Sequence, residues 1–191
     1  MANDTKQLLL EQGMAMLLRQ GYHDLGVAQL LEATSIPKGS FYHHFKSKED
    51  FGLQVIDRYM EEVHGGLDHC LGDQTLPPLQ RVRRFFEMTE EKYRGEGYLG
   101  CLLGGLGQEL SGISEAFRKK VEWCFSEIAR RIACCLDEAI ERGELSANTD
   151  THTMAQLLIN CWEGAALRTR LQRDPAPLRQ MLDFYFRSTS A

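Results

Sequence analysis

The sequence predicts an all-α fold, three short helices ahead of a bundle of about six. Three observations predict it. Prolines are few, at 37, 77, 78, 175 and 177, and a proline within a helix interior would break it. Apolar residues recur at helical spacing, with no sustained apolar/polar alternation of the kind a half-buried strand shows. Apolar residues make up 43% of the 191, enough to build a core and to exclude a disordered chain.

Each helix follows from a stripe and a stop. Thr5 to Gln20 carries apolar residues at 8, 9, 10, 14, 16, 17 and 18, and Gly21 stops it. Val27 to Ala33 and Lys38 to His44 are short, and Thr34-Ser35-Ile36-Pro37 joins them. Lys48 to about Leu71 is longer and ends at Gly72. Leu79 to Arg94, a short glycine-rich Cys101 to Leu110, and a long Ser114 to Arg142 follow, with Ser114 as N-cap and Gly143 as stop. Thr149 or Asp150 starts a helix to about Arg173, Asp174-Pro175-Ala176-Pro177 breaks it, and Leu178 to Arg187 is the last. Residues 1–47 form the expected front domain and 48–191 the rear one.

Composition excludes several classes. No apolar run reaches membrane-spanning length, and the segment Met1 to Lys6 is polar without a signal-peptide core. A cytoplasmic, reducing setting is therefore expected for Cys70, Cys101, Cys124, Cys134, Cys135 and Cys161. They show no Cys-x-x-Cys pair and no zinc spacing, so neither a metal site nor a cofactor is expected. A net charge of −5 argues against a surface that coats nucleic acid throughout, though a local basic face is compatible with it.

Such a face is the segment SIPKGSFYHHFKSKED, residues 35–50. Residues 1–50 hold five Lys/Arg against six Asp/Glu, yet three of the five cations lie between 38 and 48. Two short helices joined by a four-residue turn fit a helix-turn-helix. Leu30, Ile36, Phe41 and Phe45 would form its core with Leu17 and Leu18. The outer face of the second helix then shows Lys38, Ser40, Tyr42, His43 and His44, with Gly39 allowing close backbone approach, and Lys46 and Lys48 follow. Hydroxyls and cations around a short helix suit major-groove docking. A solvated charged loop capping a bundle is the structural alternative, but the helix is too short to serve as core.

The run Gly21-Tyr22, Val27, Leu30, Leu31, Ile36, Lys38-Gly39-Ser40-Phe41-Tyr42-His43-His44-Phe45, Lys46, Lys48-Glu49-Asp50-Phe51 resembles the N-terminal domain of TetR-family transcriptional repressors over about residues 5–55. The resemblance implies an all-α homodimer with an N-terminal helix-turn-helix and a larger C-terminal domain that binds a small inducer. It places Lys38, Gly39, Ser40, Tyr42 and His43 on recognition-helix positions, Lys48 on a phosphate contact, and Phe41 and Phe45 in the core. Two departures touch the operator contacts. Leu25 and Gly26 stand where many members have a hydroxyl pair, and Ile36-Pro37 replaces the more usual valine-serine.

In the rear domain, GYLGCLLGGLGQEL, residues 97–110, has five glycines within fourteen residues, which leaves room either for close helix packing or for a ligand. Gly100-Cys101-Leu102, together with the PKGSFYHHF helix, is similar to a subgroup of these repressors that responds to electrophiles, the N-ethylmaleimide reductase repressor among them. That resemblance implies that Cys101 is a sensor thiol. Its place at a helix start would favour thiolate, with Lys92, Arg94 or Arg168 as candidate basic neighbours; an inert packing thiol is the alternative. Leu157, Leu158, Trp162, Ala165, Ala166, Leu178, Leu182 and Phe186 are expected at a four-helix dimer interface. Trp162 and Glu163 are counted with the sensor region, although Glu163 reads first as a solvated flank.

The function expected is a ligand- or electrophile-responsive regulator, most often a repressor, that binds double-stranded operator DNA as a homodimer. A reversible small-molecule sensor without a reactive cysteine is the alternative. A thiol-dependent enzyme would need a base and an orienting group beside a nucleophile, and the histidines offer no such grouping. A protein-interaction module that kept the fold without DNA binding is the third reading.

Overall fold

The computed structural model describes residues 2–189. They form α1 (Ala2–Asp24), α2 (Val27–Thr34), α3 (Lys38–His44), α4 (Lys48–Leu71), α5 (Pro78–Gly95), α6 (Leu102–Leu110), α7 (Glu115–Glu141), α8 (Thr151–Gln172) and α9 (Ala176–Thr189). No strand occurs among the described residues, so the all-α expectation holds. Two compact units result: residues up to 62 with 102–122, and residues 63–101 with 123–191.

The first unit is organised around aromatic rings. Phe41, Phe45 and Phe51 are each at most 1% exposed, with centroids 5.0 to 5.4 Å apart. Leu9, Leu17, Leu18, Leu30 and Leu31 close this core. Ile36 was expected inside it but is only half-buried. Ser35 takes the left-handed conformation at the end of α2 (φ 55°), and the chain re-enters α3 through Pro37, leaving Ile36 beside an open groove of about 430 Å³ with Leu31, Pro37 and Lys38.

Gly21 ends the first helical segment of α1, as the sequence suggests, and a short second segment follows it. Gly21 sits in the left-handed region (φ 81°, ψ 179°), and helix resumes to Asp24 beyond the kink. Gly26 caps α2 with extended backbone and no side-chain bond, as its lack of a side chain requires. Ser114 caps α7 by accepting from the Phe117 amide at 3.3 Å.

The second unit packs α8 on α9, and α9 on α5. Phe86 and Tyr93 of α5 lie 4.8 and 5.9 Å from the Trp162 ring, centroid to centroid. Arg81 is fully buried and ties three elements together. It donates to the last carbonyl of α4, Leu71, at 2.6 Å and pairs with Glu138 of α7.

Seven of the eight apolar residues expected at a four-helix dimer interface face inward. Leu158, Trp162, Ala165, Ala166, Leu178, Leu182 and Phe186 are all buried within the chain, because α8 and α9 spend these faces on their own unit. The eighth, Leu157, is exposed, and so are Leu167, Leu171 and Phe184. Leu157, Gly164 and Leu171 recur every seven residues, so α8 carries one outward stripe.

Candidate nucleic-acid interface and sensor site

The exposed face of α3 follows from how the helix is anchored. Phe41 and Phe45, four apart, both point inward. That turns Lys38, Gly39, Tyr42 and His43 outward, where all are exposed, Tyr42 to 63%. A Cβ built on Gly39 would meet nothing within 4 Å, so the backbone there is open to approach. Ser40 and His44 are half-exposed at the margins. The structure thus brings Lys38, Gly39, Ser40, Tyr42 and His43 onto one side of the helix.

Lys46 and Lys48 are set by the start of α4. The Ser47 hydroxyl accepts from the Asp50 amide at 3.0 Å, and the Asp50 carboxylate accepts from the Lys46 amide at 2.8 Å. This reciprocal cap resembles a capping box, and the Lys46 amide is the main cause holding the Asp50 carboxyl below its ordinary value. Lys46 is exposed and Lys48 half-buried. Lys48 donates to the His23 carbonyl at 3.4 Å and lies 4.4 Å from the centre of the Tyr22 ring. The sequence reading did not use Ser47-x-x-Asp50, although that spacing was there to be read.

A second cluster centres on α6. Glu109 accepts from the Tyr22 amide at 2.8 Å and the His23 amide at 2.6 Å. Its carboxylate also meets His23 Nδ1 at 2.5 Å. Burial pushes the Glu109 carboxyl up, but the two amides and the imidazole outweigh it and hold the group below its ordinary value. A Cβ on Gly21 would stand 2.9 Å from Glu109 Oε2 and push on that carboxylate, while the positive φ of 81° is what favours glycine there. Sequence reasoning passed over Glu109 altogether, because its partners are 86 and 87 residues away.

The sensor residues lie in the second unit. Cys101 is half-buried and directly precedes α6, so it stands outside the helix it was expected to begin. The turn before it rests on α8. Gly100 has φ 84°, and a Cβ there would stand 3.9 Å from the Ala166 carbonyl and 4.0 Å from Arg170 Cδ. Arg170 donates to the Leu99 carbonyl at 3.1 Å. Among basic groups it is thus Arg170 that meets the turn, and Arg168 is exposed.

Glu163, one and two helical turns before Ala166 and Arg170 on α8, is hydrogen-bonded to Cys101. It is not on a solvated flank. Burial pushes its carboxyl up to about 7, with the Cys101 bond acting in the opposite direction. Trp162 is 3% exposed and belongs to the aromatic core behind the turn. The other thiols differ in setting: burial raises Cys70 and lifts Cys135 to about 11, whereas Cys134 and Cys161 are exposed.

Two family models match the chain. "Bacterial regulatory proteins, tetR family" covers residues 9–55, and "Tetracyclin repressor-like, C-terminal domain" covers residues 78–185. The chain is 40% identical to the transcriptional regulator AcuR of Cereibacter sphaeroides over 173 residues, 90% of this chain and 79% of that one. It is 30% identical to the transcriptional repressor NemR of Escherichia coli K12, over 94% of this chain and 91% of that one. The crystal structure of E. coli NemR in its reduced form superposes with a TM-score of 0.86 over 98% and 97% of the two chains, at 28% identity. That of a regulatory protein TetR from Rhodobacter sphaeroides gives 0.91 over 96% and 97%, at 38% identity.

The buried carboxyl has a consequence for stability. Glu163 binds its proton more tightly folded than unfolded, so its contribution is full below about pH 4.5 and is lost as pH rises through about 7. At pH 8 it penalises the native state by ~2–3 kcal/mol. Urea denaturation from pH 5 to pH 8 should show Glu163→Gln gaining stability relative to the parent as pH rises. A parallel pair of curves would mean that this carboxyl is solvated.

Proposed function

The chain belongs to the TetR family of transcriptional regulators, and on that premise we propose that it is a repressor whose operator is released when the turn at Cys101 is modified or occupied. It is a helix-turn-helix, DNA-binding, ligand-responsive regulator. The observation that carries the DNA reading is the division of α3 into a buried face, Phe41 and Phe45, and an exposed face, Lys38, Tyr42 and His43. Residues 1–47 serve as the DNA-reading domain and 48–191 as the domain for sensing and dimerisation. Lys38, Gly39, Ser40, Tyr42 and His43 meet base edges or phosphate, and Lys46 and Lys48 meet the flanking backbone.

TetR-family regulators act as dimers, and a palindromic operator needs that two-fold symmetry. In this chain the faces for a second copy are the outward residues Leu157, Leu171 and Phe184. Among the described residues no helix is long and apolar enough to cross a membrane, which fits a cytoplasmic regulator.

Cys101 and Glu163 make a thiol–carboxyl pair, with Trp162 behind it. A carboxylate beside a thiol disfavours resting thiolate, yet a carboxyl near 7 is matched to accept a proton from a thiol under attack. With an activated alkene such as N-ethylmaleimide, sulfur bonds to one alkene carbon. The thiol proton passes through Glu163 to the adjacent carbon, with no leaving group. The added bulk lies in the Gly97–Cys101 turn and biases the bundle to another packing. A reversibly bound polar ligand at Glu163 and Arg170 is the second reading, favoured by the same partly desolvated carboxyl. In either case a ligand shifts the equilibrium only by its differential affinity for the two states, and operator weakens inducer binding by the same factor.

Two outcomes check this. Tyr42→Ala, at an exposed position, should cost about 1–3 kcal/mol in operator affinity by fluorescence anisotropy while leaving thermal unfolding unchanged. Brief sub-stoichiometric N-ethylmaleimide labelling should place the adduct on Cys101 by mass spectrometry, and Cys101→Ser should bind operator yet ignore the reagent. Label mainly on Cys134 or Cys161 would favour the reversible ligand.

A further inference from the structure

Lys48 is held by a short segment whose Tyr22 ring packs on Phe117, 5.2 Å between centroids, and whose first two amides share one acceptor. Its ammonium reaches the His23 carbonyl at 3.4 Å and the face of Tyr22 at 4.4 Å. Both belong to the three residues beyond the Gly21 kink. Because Gly21 is left-handed, the amides of Tyr22 and His23 leave the α1 ladder and point the same way, as in the backbone nests that bind anions. Here the anion is supplied by the chain: each oxygen of Glu109 takes one amide, at 2.8 and 2.6 Å. Charge-assisted bonds to two fixed donors are the strong kind.

We infer that Glu109 is a positioning residue for the DNA interface: by clamping the amides of Tyr22 and His23 it fixes the carbonyl and ring that present Lys48 at the start of α4. The inference rests on the reading of Lys48 as a phosphate contact. The His23 carbonyl takes one of the three ammonium donors and leaves two for phosphate oxygens. Burial lowers the Lys48 ammonium from its ordinary value, while Glu109 and Asp24 act to raise it. Without Glu109 the two amides and the His23 imidazole lose their partner, the 22–24 turn keeps only the Tyr22–Phe117 packing and the Gln20 bond to the Asp24 carbonyl, and Lys48 is placed less firmly.

The clamp also fits the sensing role. Glu109 lies on α6, and α6 begins at Leu102, one residue after Cys101. A change that shifts or frays this nine-residue helix would reach Lys48 through one carboxylate, with no contact of its own to DNA.

The test is a double-mutant cycle on operator affinity, measured by anisotropy over a range of salt concentrations. It uses the full-length protein, Lys48→Ala, Glu109→Ala and the double variant, with Glu109→Gln as the conservative change. Lys48→Ala should flatten the salt slope by about one and weaken binding about three- to fivefold at moderate salt. Glu109→Ala should reproduce most of both effects and add little in the Lys48→Ala background. Glu109→Gln, whose amide oxygen still accepts, should lie between Glu109→Ala and the parent. A general loss of fold would weaken binding without this non-additivity, and circular dichroism on each variant identifies it. Two results overturn the inference: Glu109→Ala binding like the parent, or the two substitutions adding in full. Lys48→Ala binding like the parent would instead remove the phosphate contact, and with it anything for Glu109 to position.

Discussion

The contact of Phe41 with Phe45 and Phe51 is what the DNA face depends on. Helix α3 has seven residues, too few to persist alone in water. Its stability comes from burying one edge among rings that α1 and α2 enclose. Truncating a ring in such a core costs about 3–5 kcal/mol, a large share of what so small a unit can have. The same burial sets the rotation of α3 about its axis. Once Phe41 and Phe45 point in, Lys38, Tyr42 and His43 have only one direction left.

The sensor region is governed by the opposite tendency. Glu163 is a carboxyl partly removed from water, and its partner is a thiol, so the site pays for its charge when the proton leaves. Gly100 and Arg170 keep the turn against α8, which brings Cys101 to that carboxyl. A group titrating near 7 is poised to change state with small changes around it.

The fold was largely legible because helix periodicity is a local signal. Element ends were less so: Gly21 reads as a stop and does interrupt the helix, but nothing local announces the short helical segment that follows it to Asp24. The division of α3 into a buried and an exposed face was readable because the helix is contiguous and its aromatics are four apart. Which apolar residues of α8 face outward was not readable, since apolar composition alone does not tell which face its own unit covers. Leu158 and Leu157 are neighbours in sequence and opposite in burial. Glu109 and the Cys101–Glu163 pair were invisible as pairs for a simpler reason. Contacts across 62 to 87 residues leave no spacing to read.

The central claim is that this acidic chain reads one short stretch of duplex DNA with a locally basic helix. Footprinting the purified protein on the DNA upstream of its own gene, at low and moderate salt, tests it most directly. The account predicts one protected palindromic stretch, with half-sites spaced by about one helical turn or a multiple of it, and protection that fades as salt rises. Protection no greater than on unrelated DNA at low salt would contradict it.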